Sequence, residues 1–306
     1  MPIIYNAPTA DILWGDIIEE VLSNVSGFTA SLDAVASLTK DISPTDTVVM
    51  LDDVSNISRG IIEIGDELVW VQKIDVSTGT LTLLPKGRGW RGSAATGHTA
   101  GDTVTASPVL PRMIARRELA NQVNALYPDL FAVKETTFTA DNPNATDWPL
   151  PDDAESVLDV RYKDTWGNWQ RVKQWEVEFS MDTTDFPTGA AVRVTDLPFA
   201  CTVQVLYGSK PAAPPPGADA TSLVEMGLTK GGKDILVNGA LARLLPMMDV
   251  ARLSVTSVSS DEMDQPNPLG SAVQIANHFR DERDKALLRE QAALRKRFPA
   301  RVHRTR

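Results

Sequence analysis

The sequence predicts an α+β protein with a helical-bundle core, its helices near residues 108–127, 220–249 and 268–298, and two antiparallel β regions inserted between them. Three observations lead there. The hydrophobic period switches from helical to two near residue 36, returns to helical near 108, falls to two again near 131, and is helical once more beyond 220. Both period-two stretches break into short runs of Val, Ile, Leu and Trp bounded by Gly, Asp, Ser and Pro, as strands are. Finally, "PAAPPPG" at 211–217 can be neither helix nor central strand and reads as a stiff linker.

These breaks divide the 306 residues into an N-terminal helical segment (1–35), a first β module (36–106) and a helix of the core (107–130). A sandwich-like second β region (131–210), a Pro-rich linker (211–219), a C-terminal helical core (220–298) and a basic tail (299–306) follow. Ile12, Ile17, Ile18, Val21, Leu22 and Val25 have near-helical spacing, weakened by Gly15. "DTVVMLD", "RGIIEIGD", "ELVWVQKID" and "GTLTLLP" read as consecutive antiparallel strands, with "STGT" as a hairpin turn that uses Gly79. Met113, Ile114, Leu119, Val123, Leu126 and Leu130 then suggest an amphipathic helix that Pro128 ends. "SVLDVRYKD" and "WQRVKQWEVEFS" flank a predicted hairpin with Gly167 at its tip. On the last helix, Val273, Ala276, Phe279, Ala286, Leu287, Ala293 and Leu294 form one stripe, with Asp281 and Lys285 as an i,i+4 pair on the outer face.

Charge is unevenly spread. Residues 280–306 hold ten Lys/Arg against four Asp/Glu, so that end carries +6 and the remainder −16 of the net −10. An acidic body repels nucleic acid and anionic membranes, whereas a basic end does not. No apolar stretch is long enough to span a bilayer. The opening "MPIIYNAPTADILWGD" lacks the basic start of a signal peptide, so the acceptor patterns at Asn24, Asn56 and Asn144 carry little weight. Cys201, alone, can neither cross-link the fold nor make a zinc site, and is expected to be buried filler.

The search for chemistry is mostly one of exclusion. The Gly/Arg run "PKGRGWRGSAATGH" has glycines at 87, 89 and 92, but its sequel leads to another strand rather than a helix. A phosphate-cradling loop needs that helix. The glycines are expected to supply turn geometry, and His98 a loop hydrogen bond. Gly227, Gly232 and Lys233 match G-x-x-x-x-G-K, but Asp234 stands where Ser or Thr would hold magnesium. His98, His278 and His303 lie in three separate contexts and share no metal-ligand spacing. Trp166, Trp169 and Trp175, alternating with Arg161, Lys163, Arg171 and Lys173, are expected to form one packed face of a β-sandwich or a subunit interface. No catalytic, cofactor or metal residue is predicted, and the chain is expected not to be an enzyme.

The run from Ile42 to Val104 resembles a β module recurring in tailed-bacteriophage virion proteins. It carries the G-x-x-x-I-G-D-E pair at Gly60 to Glu67, a hairpin, an Arg/Gly run, and G-x-x-A-x-x-H-x-x-G-x-x-V at Gly92, Ala95, His98, Gly101 and Val104. Residues 131–209 resemble the second β region of actinobacteriophage-type connector proteins. "LARLLPMMDVARL" and "GSAVQIANHFRDERDKALLREQAALRKRFP" are similar to the paired C-terminal helices of phage head-to-tail adaptors. The resemblance implies a structural virion protein at the neck, made in the host cytoplasm and assembling as a homo-oligomeric ring of about twelve copies beneath the portal. Its implied partners are the portal protein, a tail-side stopper or tail protein, and, transiently, packaged DNA, with no membrane. Arg295, Lys296, Arg297, Arg301, Arg304 and Arg306 become candidate contacts to the portal or to DNA phosphates. A second reading is a tail-tip or baseplate protein that binds a host glycan through the Trp residues.

Overall fold

The computed structural model describes residues 11–27, 33–142, 145–195, 197–198, 200–256 and 271–298, with backbone alone over 248–256 and at 271. Two compact units are present. The first comprises 1–122, 214–222 and 233–283, and the second 123–213, 223–232 and 284–306.

The first unit is built on a curled, fully antiparallel six-stranded sheet. Its strands are β1 (Ala34–Ser37), β2 (Val48–Met50), β3 (Gly60–Ile64), β4 (Glu67–Asp75), β5 (Thr80–Leu83) and β6 (Thr103–Ala106). They lie in the order β1-β6-β3-β4-β5-β2. The period-two pattern does what it should: Val49, Ile62, Ile64, Val69, Val71, Leu81 and Val104 are fully buried in one cluster. The β4–β5 turn needs Gly79, which sits at φ 65° with room for a Cβ blocked 2.7 Å away by the Leu51 carbonyl. Helix α1 (Trp14–Gly27) buries Trp14, Ile17, Ile18, Val21 and Val25 along one face. Its start is tied to the 214–222 strap, the Trp14 and Gly15 amides donating to the carbonyls of Thr221 (2.8 Å) and Asp219 (2.9 Å).

In the second unit, β7 (Ala132–Ala140), β9 (Ser156–Lys163), β10 (Trp169–Arg171) and β13 (Cys201–Ser209) form a sheet ordered β10-β9-β13-β7. A smaller sheet, ordered β11-β12-β8, is made of β8 (Asp147–Pro149), β11 (Glu176–Glu178) and β12 (Ala191–Arg193). One hydrophobic cluster draws on both sheets: Val160, Val203 and Val205 from the larger, Trp148 and Val192 from the smaller. Phe138 stacks on Trp148 at 4.7 Å and 14°. Cys201 is free and buried in this cluster, and burial pushes its thiol pKa up.

The expected helical-bundle core is overturned. Among the described residues the chain has thirteen strands in three sheets and four helices, and both of the clusters above are sheet cores. The expected helices near 108–127, 220–249 and 268–298 become α2 (Arg112–Asn124), α3 (Gly232–Thr256) and α4 (Ser271–Arg297). Of these, α4 gives the physical reason. Across its described side chains only Ala276 is buried, while Val273, a member of the predicted stripe, is 47% exposed. Helical periodicity reported the shape of the segment, not its burial. No helix among the described residues is long and apolar enough to cross a membrane.

Leu81→Ala, which empties a fully buried sheet position, should cost about 3 kcal/mol in denaturant unfolding. Val273→Ala should stay within about 0.5 kcal/mol of wild type, as exposed positions do. A loss at Val273 as large as that at Leu81 would mean that the α4 stripe is covered after all.

Candidate functional site

The Gly/Arg loop does close around an anion, and the anion is the protein's own. Glu67 opens β4 with its side chain wholly buried. Its Oε1 accepts hydrogen bonds from Arg88 Nε (2.7 Å) and the Gly89 amide (2.9 Å). Oε2 accepts from Arg88 Nη2 (2.8 Å), the Thr96 amide (3.1 Å) and His98 Nε2 (2.8 Å). Burial pushes the carboxyl pKa up, but the hydrogen bonds from Arg88 and His98, then from Thr96 and Gly89, outweigh it and hold the pKa at about 2. An ionised carboxylate can only accept, so His98 Nε2 carries a proton here. Its Nδ1 lies 3.7 Å from Asp102 Oδ2.

Local backbone geometry makes the cradle possible. Gly89 sits at φ 60°, and a Cβ there would approach the Ser93 carbonyl to 2.8 Å. Arg91, also at positive φ (55°), kinks the short 3-10 turn Trp90–Gly92, and Trp90 packs on Trp70 at 5.0 Å. Ser93 Oγ accepts the Leu68 amide (2.9 Å), and Ile42 and His98 exchange backbone hydrogen bonds at 2.9 Å in both directions. Arg88 also donates to the carbonyls of Ser43 and Thr96, so one guanidinium joins three segments.

The same hairpin places two further acids on other tasks. Asp66 pairs with Arg116 (2.7 Å) and lies 3.5 Å from Arg112, and Asp219 of the strap contacts both arginines. Glu19 of α1 also contacts Arg112. Glu63, buried on β3, accepts the Arg112 amide at 2.5 Å and so caps the first turn of α2. Here burial prevails over that amide and the Arg112 charge, and the Glu63 pKa rises to about 7.

The sequence candidates are scattered by comparison. Arg295, Lys296 and Arg297 occupy the last turn of α4 and are exposed. Arg301, Arg304 and Arg306 lie outside the described residues, as does His303. A groove of about 170 Å³ beside Arg295, lined by Phe131, Leu294 and Phe298, is smaller than the roughly 300 Å³ at which small-molecule pockets begin. The three Trp residues do not share a face: Trp175 is buried, Trp169 half-buried and Trp166 85% exposed. Lys233, at the start of α3, is ion-paired with Glu20 (2.8 Å). Among the described residues no group of three or more His, Cys, Asp and Glu side chains could hold a metal. What the sequence reading missed is the acid partner of His98. Glu67, Arg88 and His98 all stand within the run from Ile42 to Val104, but Arg88 and His98 lie 21 and 31 residues beyond Glu67, and no local spacing joins them.

No family model matches the chain, and a search of curated proteins finds no significant match.

The two buried glutamates titrate in opposite senses. Glu67, lowered from its ordinary 4.5 to about 2, contributes about 3 kcal/mol above pH 4.5 that is lost as pH falls towards 2. Glu63, raised to about 7, favours the fold below its unfolded value near 4.5 and loses that contribution, again about 3 kcal/mol, as pH rises through 7. Stability measured against pH should therefore peak near 4.5, and Glu63→Gln should remove the decline between 4.5 and 7. A decline that persists in Glu63→Gln would assign it to other groups. Glu67→Gln, which leaves Arg88 buried without its countercharge, should cost about 3 to 5 kcal/mol.

Proposed function

We propose that the chain is a structural protein of a tailed-phage virion, a head-to-tail adaptor that assembles as a ring beneath the portal, continues the DNA channel and presents the docking surface for the tail. The observation that carries this reading is the use to which the module's hallmark residues are put. Glu67, Arg88 and His98 satisfy one another inside the module, so these polar residues of its motif are engaged in holding a building block together rather than in binding a ligand. A motif spent on rigidity suits a protein that works by being held in place. We therefore read the chain as non-enzymatic, resident in the neck of the virion and passing through the host cytoplasm during assembly.

Two surface features supply the contacts such a protein needs. The exposed Arg295, Lys296 and Arg297 form a basic end on a chain of net charge −10, suited to an acidic portal surface or to DNA phosphates. Weak ion pairs repeated around a ring sum to useful avidity. The acidic remainder suits a conduit along which DNA slides without sticking. Trp166, 85% exposed, favours a second reading, a tail-tip protein that stacks its indole on a host glycan.

A purified portal ring from the same genome should capture the full-length chain stoichiometrically, and a form ending at Pro299 less well. Capture of both equally would keep the adaptor and remove the tail from docking. Failure to capture either, with glycan binding lost on Trp166→Ala, would replace the adaptor with the tail tip.

A further inference from the structure

Two exposed aromatic side chains in the second unit stand in surroundings of opposite charge. Trp166 tips the β9–β10 hairpin, and Phe179, 54% exposed, follows directly on β11. Among the described residues they are the two exposed Trp or Phe side chains. An exposed indole costs free energy in water, and burying such a ring in a partner is among the strongest contributions to an interface.

The hairpin holds its indole ready. Asp164 Oδ1 accepts the amides of Trp166 (3.0 Å) and Asn168 (2.7 Å), and its Oδ2 accepts Gln170 Nε2 (3.1 Å). The turn closes with the Asp164 amide on the Asn168 carbonyl (2.9 Å) and Gly167 at φ 83°. A tip fixed in this way loses little conformational entropy on docking. Lys163, at the end of β9 beside it, and Arg171, at the end of β10, are exposed, and Arg171 shares the buried Asp159 with Arg161. The projecting tip is positive and aromatic.

The surroundings of Phe179 are the reverse. Among the described residues β11 pairs with β12 alone, so its other edge carries no strand. Glu176 and Glu178 are exposed on it, and Asp182 and Asp185 are exposed just beyond. Arg193, across from Glu176, bonds Asp147 at 2.7 Å and attracts Glu176 and Glu178 as well, one cation among more carboxylates. This edge is negative and aromatic, and strand edges invite a partner.

We infer that these two surfaces bind each other between copies of the chain: the Trp166 hairpin of one copy docks on the acidic β11 edge and Phe179 of the next. Two different, mutually complementary patches on one molecule make a head-to-tail contact, which propagates and closes into a ring when the rotation allows. The inference deepens the adaptor reading and rests on its ring. Opposite charges steer the encounter, and the apolar rings supply the adhesion.

Sedimentation velocity of the full-length protein at low salt tests it. Wild type should form concentration-dependent oligomers that weaken with salt. Trp166→Ala and Phe179→Ala should each be monomeric with unchanged circular dichroism, both side chains being exposed. Mixed in equal amounts, the two variants should form one-to-one pairs and nothing larger, since each retains one half of the contact. Lys163→Glu should weaken assembly at least tenfold, and Glu178→Lys in the same chain should restore it. Oligomers unchanged in both alanine variants would overturn this contact and leave the ring intact. A wild type that stays monomeric throughout would also overturn it, while capture by the portal ring decides the adaptor reading separately.

Discussion

A carboxylate buried without solvent must be surrounded by donors or give up its charge, and the first unit is organised by that constraint at Glu67. Five donors from Arg88, Gly89, Thr96 and His98 converge on it. All are carried by residues 88–98, a stretch with little regular structure of its own. Without the carboxylate, the Gly89 and Thr96 amides would lose their acceptor, and the Arg88 guanidinium would lose its countercharge. With it, a loop lacking a ladder of its own is hydrogen-bonded to the start of β4. Arg88 extends the hold to the 43–46 turn.

The β3–β4 hairpin is thus an electrostatic hub. Its three acids, Glu63, Asp66 and Glu67, face three different sets of partners: the start of α2, the Arg112/Arg116 pair with Asp219, and the 88–98 loop. Asp219 brings the Pro-rich strap to those arginines, and the strap carbonyls receive the first amides of α1. One hairpin therefore connects sheet, loop, helices and strap within the unit. Such a network specifies one arrangement because each member left unpaired would be costly.

Much of the β structure was legible. Period-two runs at 48–50, 60–64 and 67–75 became strands, "STGT" became the β4–β5 turn, and the Gly167 hairpin formed between β9 and β10. Alternation is a local property, and it survives folding. The convergence on Glu67 was not legible, because Arg88 and His98 lie 21 and 31 residues away and only the curl of the sheet brings them together. The single face expected of the Trp trio did not form for a related reason, although Trp175 does lie in the sandwich cluster: alternation assigns a face within one strand, whereas Trp166 sits in a turn and Trp175 precedes β11. For α4, periodicity foretold a helix correctly but could not say whether anything covers its apolar stripe.

The most direct measurement is native-state hydrogen exchange at the backbone amides of Gly89 and Thr96, the two that donate to Glu67. A carboxylate that fastens the loop to the sheet predicts that both exchange as slowly as amides of β3 and β4, through global unfolding alone, and that both become fast together in Glu67→Gln. Rapid exchange of these amides in wild type, while the sheet stays protected, would mean that the loop opens freely and that Glu67 does not hold the module together.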